Sequence, residues 1–282
     1  MISSFAWTTR DLVTVSGPDA AAYLQGQVSQ DVAALAVGGS AATFVLAPQG
    51  KVDGWGRIHR CGAEEFEIDV DTGAGAAWAA RLRRFLLRTK AEIGVSEAVS
   101  VLAVRGIEVD GGRRALGLGV VGSDLFGVAP PGRPAGVPHD AVELSAEDLE
   151  ALRIRAGVPR WGAELDDGTI PATVGQWAID ASVSFTKGCF TGQELVARID
   201  SRGGNVPRHL VGLVIDGAAP APGADVQVDG VAAGSVTSSA PSGSGSVALA
   251  FVPRSVEVGA DGVAATAGGL PALIRTLPLP TP

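Results

Sequence analysis

The sequence predicts an α+β unit followed by a small antiparallel β-barrel or sandwich. Three observations carry this. Up to about residue 205, segments with apolar positions at helical spacing and plausible caps alternate with β-prone runs. After Asn205 the helical period disappears, and short β-prone runs follow one another between turn residues. The chain has 282 residues, 46% of them apolar, with Gly 39 and Pro 17, so it is globular, rich in turns and long enough for two cores. The units are expected at 1–204 and 205–282.

The run RDLVTV at 10–15 reads as a strand. SGPDAAAYLQGQVSQDVAAL follows. Ser16 and Asp19 are plausible caps with Pro18 near the start, and Leu24, Val28, Val32 and Leu35 form one helical stripe. SAATFVLAPQGKVDGWGRIHR reads as a hairpin around Pro48-Gln49-Gly50, and EEFEIDVD as another strand. GAAWAARLRRFLLRTKAEIGV predicts a helix with Trp78, Leu82, Phe85 and Leu86 on one side, then a strand. Residues 129–140 are Pro/Gly punctuation. Ser145 and Asp148 have capping-box spacing, opening a helix that stops near Gly157-Val158-Pro159. Beyond residue 205, Asp229-Gly230 marks a tight hairpin.

Net charge is −8, which disfavours a general binder of duplex nucleic acid, because phosphate contacts call for a basic surface. A local site for tRNA or a small anion stays open. The two cysteines, Cys61 and Cys189, and three scattered histidines give no metal-ligand spacing and no disulfide framework. The first residues lack a signal-peptide pattern, and no run of about 18 apolar residues exists. A cytoplasmic protein with reduced thiols is the expectation.

Chemistry concentrates in FTKGCFTGQELVARIDSRGG, 185–204. Thr191 and Glu194 have capping-box spacing, so Thr191 is the expected N-cap, with Cys189 just before the helix. The helix dipole and Lys187, one of three lysines, would both favour thiolate. A small packed residue in a turn is the competing reading. A second constellation follows a helix end: Trp161, Glu164, Asp166 and Asp167. An aromatic ring beside a carboxylate suits a flat heterocycle with paired N–H donors, such as a pterin edge; an acidic surface loop over a buried Trp competes with it. Arg81, Arg84 and Arg88 fall on one predicted helix face, which would meet an anionic tail or simply face solvent. Cys61 reads as structural.

Together these blocks resemble the YgfZ family of folate-binding proteins, relatives of the glycine-cleavage T-protein (GcvT, aminomethyltransferase). KGCFTGQELVAR…RG, Lys187 to Gly203, is similar to that family's signature. GPDAAAYLQGQVSQDV, LAPQGKV, LRIRAGVPRWGAELDDGTIP and RHLVGLVIDG are similar to its other blocks, so the resemblance covers nearly the whole chain. It implies a GcvT-like folate-binding domain with a central cavity plus a β-barrel. It implies tetrahydrofolate as cofactor. It also implies a role in assembly or repair of iron–sulfur clusters in client enzymes, one of which modifies tRNA. By position, Lys187, Cys189, Gly192, Gln193 and Arg202 match the signature, and Glu164 matches a folate-contacting carboxylate. Trp161, Gln193, Arg198, Arg202 and Asp53 complete the candidate folate set, and Cys189 and Lys187 are the candidate reactive pair.

T-proteins place two adjacent acids after a Gly-Gly turn. Here only Asp53 is acidic, displaced by one residue, and strand alternation would send its side chain to the other face. The leading expectation is therefore a folate-dependent accessory protein for iron–sulfur enzymes. A folate-dependent methyl- or aminomethyltransferase is the alternative, and a folate-binding module without chemistry a third.

Overall fold

The structure is a computed structural model that describes residues 3–130, 132 and 136–280. Part of the Pro/Gly stretch at 129–140 lies outside the described residues. The first part of the chain builds a sheet from β1 (Ser4–Ser16), β2 (Ser40–Leu46), β3 (Val52–Arg60), β4 (Glu65–Asp71), β5 (Glu92–Arg105), β6 (Arg113–Arg114), β7 (Gly122–Phe126) and β8 (Val142–Glu143). The order is β2-β3-β4-β1-β5-β7-β6, with β8 alongside β1. Helices α1 (Ala20–Gln27), α2 (Gly75–Arg83), α3 (Ala146–Arg155), α4 (Gln176–Ser182) and α5 (Gln193–Ser201) accompany it. A short 3₁₀ turn at Pro171–Val174 precedes α4. Six further strands close a barrel: β9 (Arg208–Ile215), β10 (Asp225–Val228), β11 (Val231–Ser242), β12 (Gly245–Pro253), β13 (Val263–Ala267) and β14 (Leu270–Arg275). Their order is β10-β11-β12-β9-β14-β13. Asp229 and Gly230 both take positive φ in the β10–β11 hairpin, as an Asp-Gly turn requires.

The barrel and the first unit share apolar surface. Along β12, Ala248, Ala250 and Val252 fill the barrel. Val247, Leu249 and Phe251 point the other way, into a cluster with Phe44, Trp55, Ile154 and Ile179. Both faces of this strand are buried, which is why it reads as an unbroken apolar run. Leu277 packs against that cluster as well, and Leu279 N donates to Arg155 O at 2.8 Å, tying the tail to α3.

Charge is buried in the first sheet. Arg57 pairs with Asp69 through Nε at 2.9 Å and with Asp124 at 3.0 Å. Arg10 and Arg113 reach the same Asp69 at 3.2 Å each. Burial pushes the Asp69 carboxyl up, but the surrounding guanidiniums outweigh it and hold the group at about 2.

Several expectations need correction. α1 ends at Gln27; Val28 is extended and bridges Val45, so the stripe through Val32 and Leu35 is not helical. Leu24, Val28 and Val32 are still buried in one cluster, because the turns after α1 fold back onto the sheet. The Asp19 side chain does not cap α1; its Oδ2 accepts from Lys90 N at 2.7 Å. α2 stops at Arg83, which leaves Phe85 42% exposed and places Arg84 and Arg88 beyond the helix. Its N-terminus is served from a distance: buried Asp11, on a β1 bulge, accepts from Gly73 N, Gly75 N and Ala98 N. The Ser145–Asp148 capping box forms as expected.

Candidate functional site

The motif segment joins α4 to α5 and is held at three points. Lys187 is buried, and its Nζ donates to Val28 O at 2.8 Å and Gln30 O at 2.7 Å, with the ammonium 5.0 Å from the Phe190 ring. Burial pushes this ammonium down to about 8, with Asp31 acting in the opposite sense. Thr191 N donates to Gly26 O at 3.2 Å, at the end of α1. Gly192, with φ +79°, is the N-cap residue of α5, where Thr191 was expected. A Cβ there would lie 2.5 Å from Ala47 O and 2.6 Å from Leu46 Cβ, so only glycine lets the loop close on the hairpin turn. Gly50, in that turn, faces it with the same restriction: its Cβ would meet Leu195 Cβ at 2.4 Å. The loop is thus clamped on both sides of Cys189, which is exposed. The Lys187 ammonium is engaged by carbonyls of the segment after α1. Gln193 turns back to accept from Phe190 N at 3.4 Å, and Arg198 and Arg202 are exposed on and just after α5.

The hairpin turn carries the second set. Val45 pairs with Gly54, and Leu46 with Val52, so Asp53 is the extra residue of a bulge. A bulge breaks strand alternation and re-aims its side chain. The parity expectation for Asp53 therefore does not hold. Its Oδ2 receives Arg81 Nε at 2.8 Å. Arg81 also donates to Gln27 Oε1 at 3.3 Å and Leu46 O at 2.9 Å, and its guanidinium lies 4.5 Å from the Phe85 ring centroid. Arg81 is buried and does not share a solvated stripe with Arg84 and Arg88.

Glu164 is 1% exposed. Its Oε1 accepts from Thr237 Oγ1 at 2.7 Å and Ser238 Oγ at 2.6 Å on β11. Its Oε2 accepts from Arg160 N at 3.0 Å and Arg153 Nη1 at 3.2 Å. Four donors fill the acceptor capacity of a carboxylate. Here the residue fastens the end of α3 to the barrel. Trp161 is half-buried and packs against two of the apolar clusters, one shared with the barrel and one under the first sheet. Its N donates to Asp71 Oδ2 at 2.8 Å, and Asp71 Oδ1 receives Arg10 at 2.6 Å. Asp166 and Asp167 are exposed, and Asp166 closes its own turn onto Thr169 and Gly168.

A cavity of about 560 Å³ lies between the 3₁₀ turn, β9, the segment after β12 and the C-terminal tail. Trp177, His209, Leu210, Arg254, Val256 and Leu277 are among its lining residues; Glu164 and Cys189 are not. Among the described residues, no group of three His, Cys, Asp or Glu side chains is placed to hold a metal.

No protein-family model matches the chain. A tRNA-modifying protein YgfZ of Photorhabdus laumondii is 30% identical over 228 residues, 69% of this chain and 65% of that protein. Another of Edwardsiella ictaluri is 29% identical over 220 residues, 68% and 65% of the two chains. The chain thus spans about two thirds of the length of these curated relatives. An aminomethyltransferase of Thermus thermophilus is 28% identical, covering 94% of this chain and 83% of that one. The crystal structure of the glycine cleavage system aminomethyltransferase T from Bartonella henselae superposes with a TM-score of 0.77 over 98% of this chain and 86% of the other, at 20% identity. The chain is thus similar to YgfZ-type proteins and to aminomethyltransferases along most of its length. Its fold is GcvT-like, with a curled sheet and a six-stranded antiparallel barrel.

Within this GcvT-like fold, two groups of predicted residues form. The motif loop meets the hairpin turn that carries Asp53, while Trp161 and Glu164 sit where α3 meets β11. Sequence reasoning missed Gln27, Asp71 and Arg10. Gln27 lies within GPDAAAYLQGQVSQDV, but nothing in its spacing marks it. Arg10 and Asp71 meet only through the register of β1 with β4, where they are direct partners. No helix among the described residues is long and apolar enough to cross a membrane.

Proposed function

We propose that the chain binds a reduced folate and acts in tRNA modification as an accessory protein for iron–sulfur enzymes, not as a stand-alone transferase. The observation that carries this reading is the motif loop, clamped by Lys187, Thr191 and Gly192 while the Cys189 thiol stays exposed. A protein that only stores folate has no use for a thiol presented in this way, since an exposed thiol oxidises. A single thiol does not hold a cluster alone, so any iron–sulfur partner would supply the remaining ligands. The names of the YgfZ relatives support the tRNA assignment, and the likeness to aminomethyltransferases supports a folate as the cofactor class.

The residues near Trp161 fit a pterin. The indole offers a half-buried apolar face, and Asp71, which accepts from Trp161 N, is a carboxylate with some exposure for N–H donors. Glu164 has no acceptor site free, so it enters this reading as the group that positions Trp161. Residues 1–204 would hold the cofactor, with Gln193, Arg198 and Arg202 nearest the motif loop, and 205–282 would close the seam. Bound folate would supply one-carbon chemistry.

Titration of tetrahydrofolate against intrinsic fluorescence tests the binding. The wild type is expected to show saturable quenching, and Trp161→Phe to lose most of it. No quenching in the wild type refutes folate binding. Cys189→Ser is expected to keep folate affinity while failing to restore iron–sulfur enzyme activity in cells lacking the protein; full rescue refutes the thiol-dependent role. The second reading, a folate-dependent aminomethyltransferase, is favoured by the bulge at Asp53, which frees that carboxylate from strand parity. Release of a one-carbon unit from an aminomethyl donor to tetrahydrofolate, lost in Asp53→Asn, would establish it.

A further inference from the structure

The chain is acidic, yet five of its cations stand between residues 81 and 90, and no Asp or Glu occurs from Thr72 to Ala91. Arg81 belongs to the Asp53 site. Lys90 sits at the far end, where its backbone N–H donates to Asp19 Oδ2 and Glu92 follows two residues on. Arg83, Arg84 and Arg88 remain, all exposed, and none is ion-paired among the described residues. Arg83 donates only to the neutral Ile93 carbonyl. Two large apolar side chains protrude among them, Phe85 at 42% and Leu87 at 86% exposure. The turn is also strained: Arg88 has φ +61°, which holds its side chain on this outward bend.

We propose that this ridge docks an unpaired segment of RNA. Phe85 already has the Arg81 guanidinium on its ring at 4.5 Å, so the exposed part of the ring is a fixed platform on which a base stacks. The three free arginines flank that platform and meet phosphates. Taking these five cations away from a net charge of −8 leaves −13 elsewhere, so a polyanion is steered to this ridge and repelled from most other faces. Duplex binding is not expected, because the ridge is short and its apolar centre suits splayed bases. A bare membrane anchor would want apolar side chains facing one way along a helix, whereas α2 has ended before Phe85. This inference deepens the tRNA-modification reading by naming the contact surface; it is independent of folate, and the two titrations fail separately.

The test is fluorescence anisotropy of a labelled oligouridylate of about 12 nucleotides with the full chain, across a salt series. Three phosphate contacts predict a slope of log Kobs against log salt of about −2. The double variant Arg84→Glu/Arg88→Glu is expected to weaken binding more than about tenfold and flatten the slope. Phe85→Ala is expected to weaken binding roughly tenfold with the slope unchanged. Both variants should keep the circular dichroism spectrum and the Tm of the wild type, which shows that they are folded. The proposal is overturned if the wild type does not bind the oligonucleotide, or if the variants bind it equally well. Equal competition by polyglutamate reassigns the ridge to an acidic protein, and preferential binding to phosphatidylserine vesicles reassigns it to a membrane surface.

Discussion

Replacing Glu164 separates two roles for this carboxylate. The sequence pattern gives it to a pterin; the structure gives it to the joint between α3 and β11. In Glu164→Ala, the buried Ser238 hydroxyl and the Arg160 N–H lose the acceptors they have in the native fold. Thr237 keeps Leu249 O at 3.1 Å, and Arg153 keeps Glu150 at 2.8 Å. An orphaned buried donor such as the Ser238 hydroxyl costs about 1–3 kcal/mol, the partly exposed Arg160 N–H less, and removal of one partner of a buried ion pair costs about 3–5 kcal/mol as a whole. These overlap, so a total of about 4 kcal/mol is expected. At about 2–4 °C per kcal/mol for a chain of this size, Tm should fall by about 8–15 °C in calorimetry. Glu164→Gln retains an acceptor for Arg160 N and a donor that the hydroxyls can accept, so its Tm should fall by only about 2–4 °C. Tetrahydrofolate affinity should be unchanged in the Gln variant. A Glu164→Ala protein with native Tm but about tenfold weaker folate binding would refute the joint and return the carboxylate to the ligand.

Three further outcomes are expected. Asp69, held at about 2 against an ordinary 3.8, contributes stability above the ordinary value that is lost as pH falls from about 4 toward 2. Asp69→Asn should remove that dependence and cost about 3–5 kcal/mol at neutral pH, read by denaturant titration. Lys187 has the opposite pattern: its folded value of about 8 lies below the ordinary 10.5. The unfolded chain therefore holds the extra proton, and stability should rise with pH between about 8 and 10.5. That slope should be absent in Lys187→Met. Thiol labelling in the native state should modify Cys189 alone, since burial pushes the half-buried Cys61 thiol up to about 11; peptide mass mapping would refute this by finding Cys61 labelled first.

What the sequence alone determined lies in local periodicity and turn chemistry. The β2–β3 hairpin, the β4 strand, the Ser145–Asp148 capping box and the Asp229-Gly230 turn each depend on residues a few positions apart, and each appears as expected. The motif Lys187–Gly203 could be singled out because its cysteine, lysine and glycines are adjacent in the chain. Where a side chain's partner comes from another element, only the tertiary structure decided. The stripe Leu24–Val28–Val32 is buried as predicted but not helical, because burial selects apolar residues whatever the backbone does. Lys187 was placed beside its neighbour Cys189, yet its ammonium is engaged by carbonyls more than 150 residues away in sequence. Asp53 was judged by strand parity, and one bulge residue undid that parity. Glu164 was assigned by its neighbours 161–167, but the two hydroxyls that fill its Oε1 come from β11, some 70 residues on. Local spacing records which residues lie next to one another along the chain; which hydrogen-bond donors reach a carboxylate depends on how distant strands are brought together.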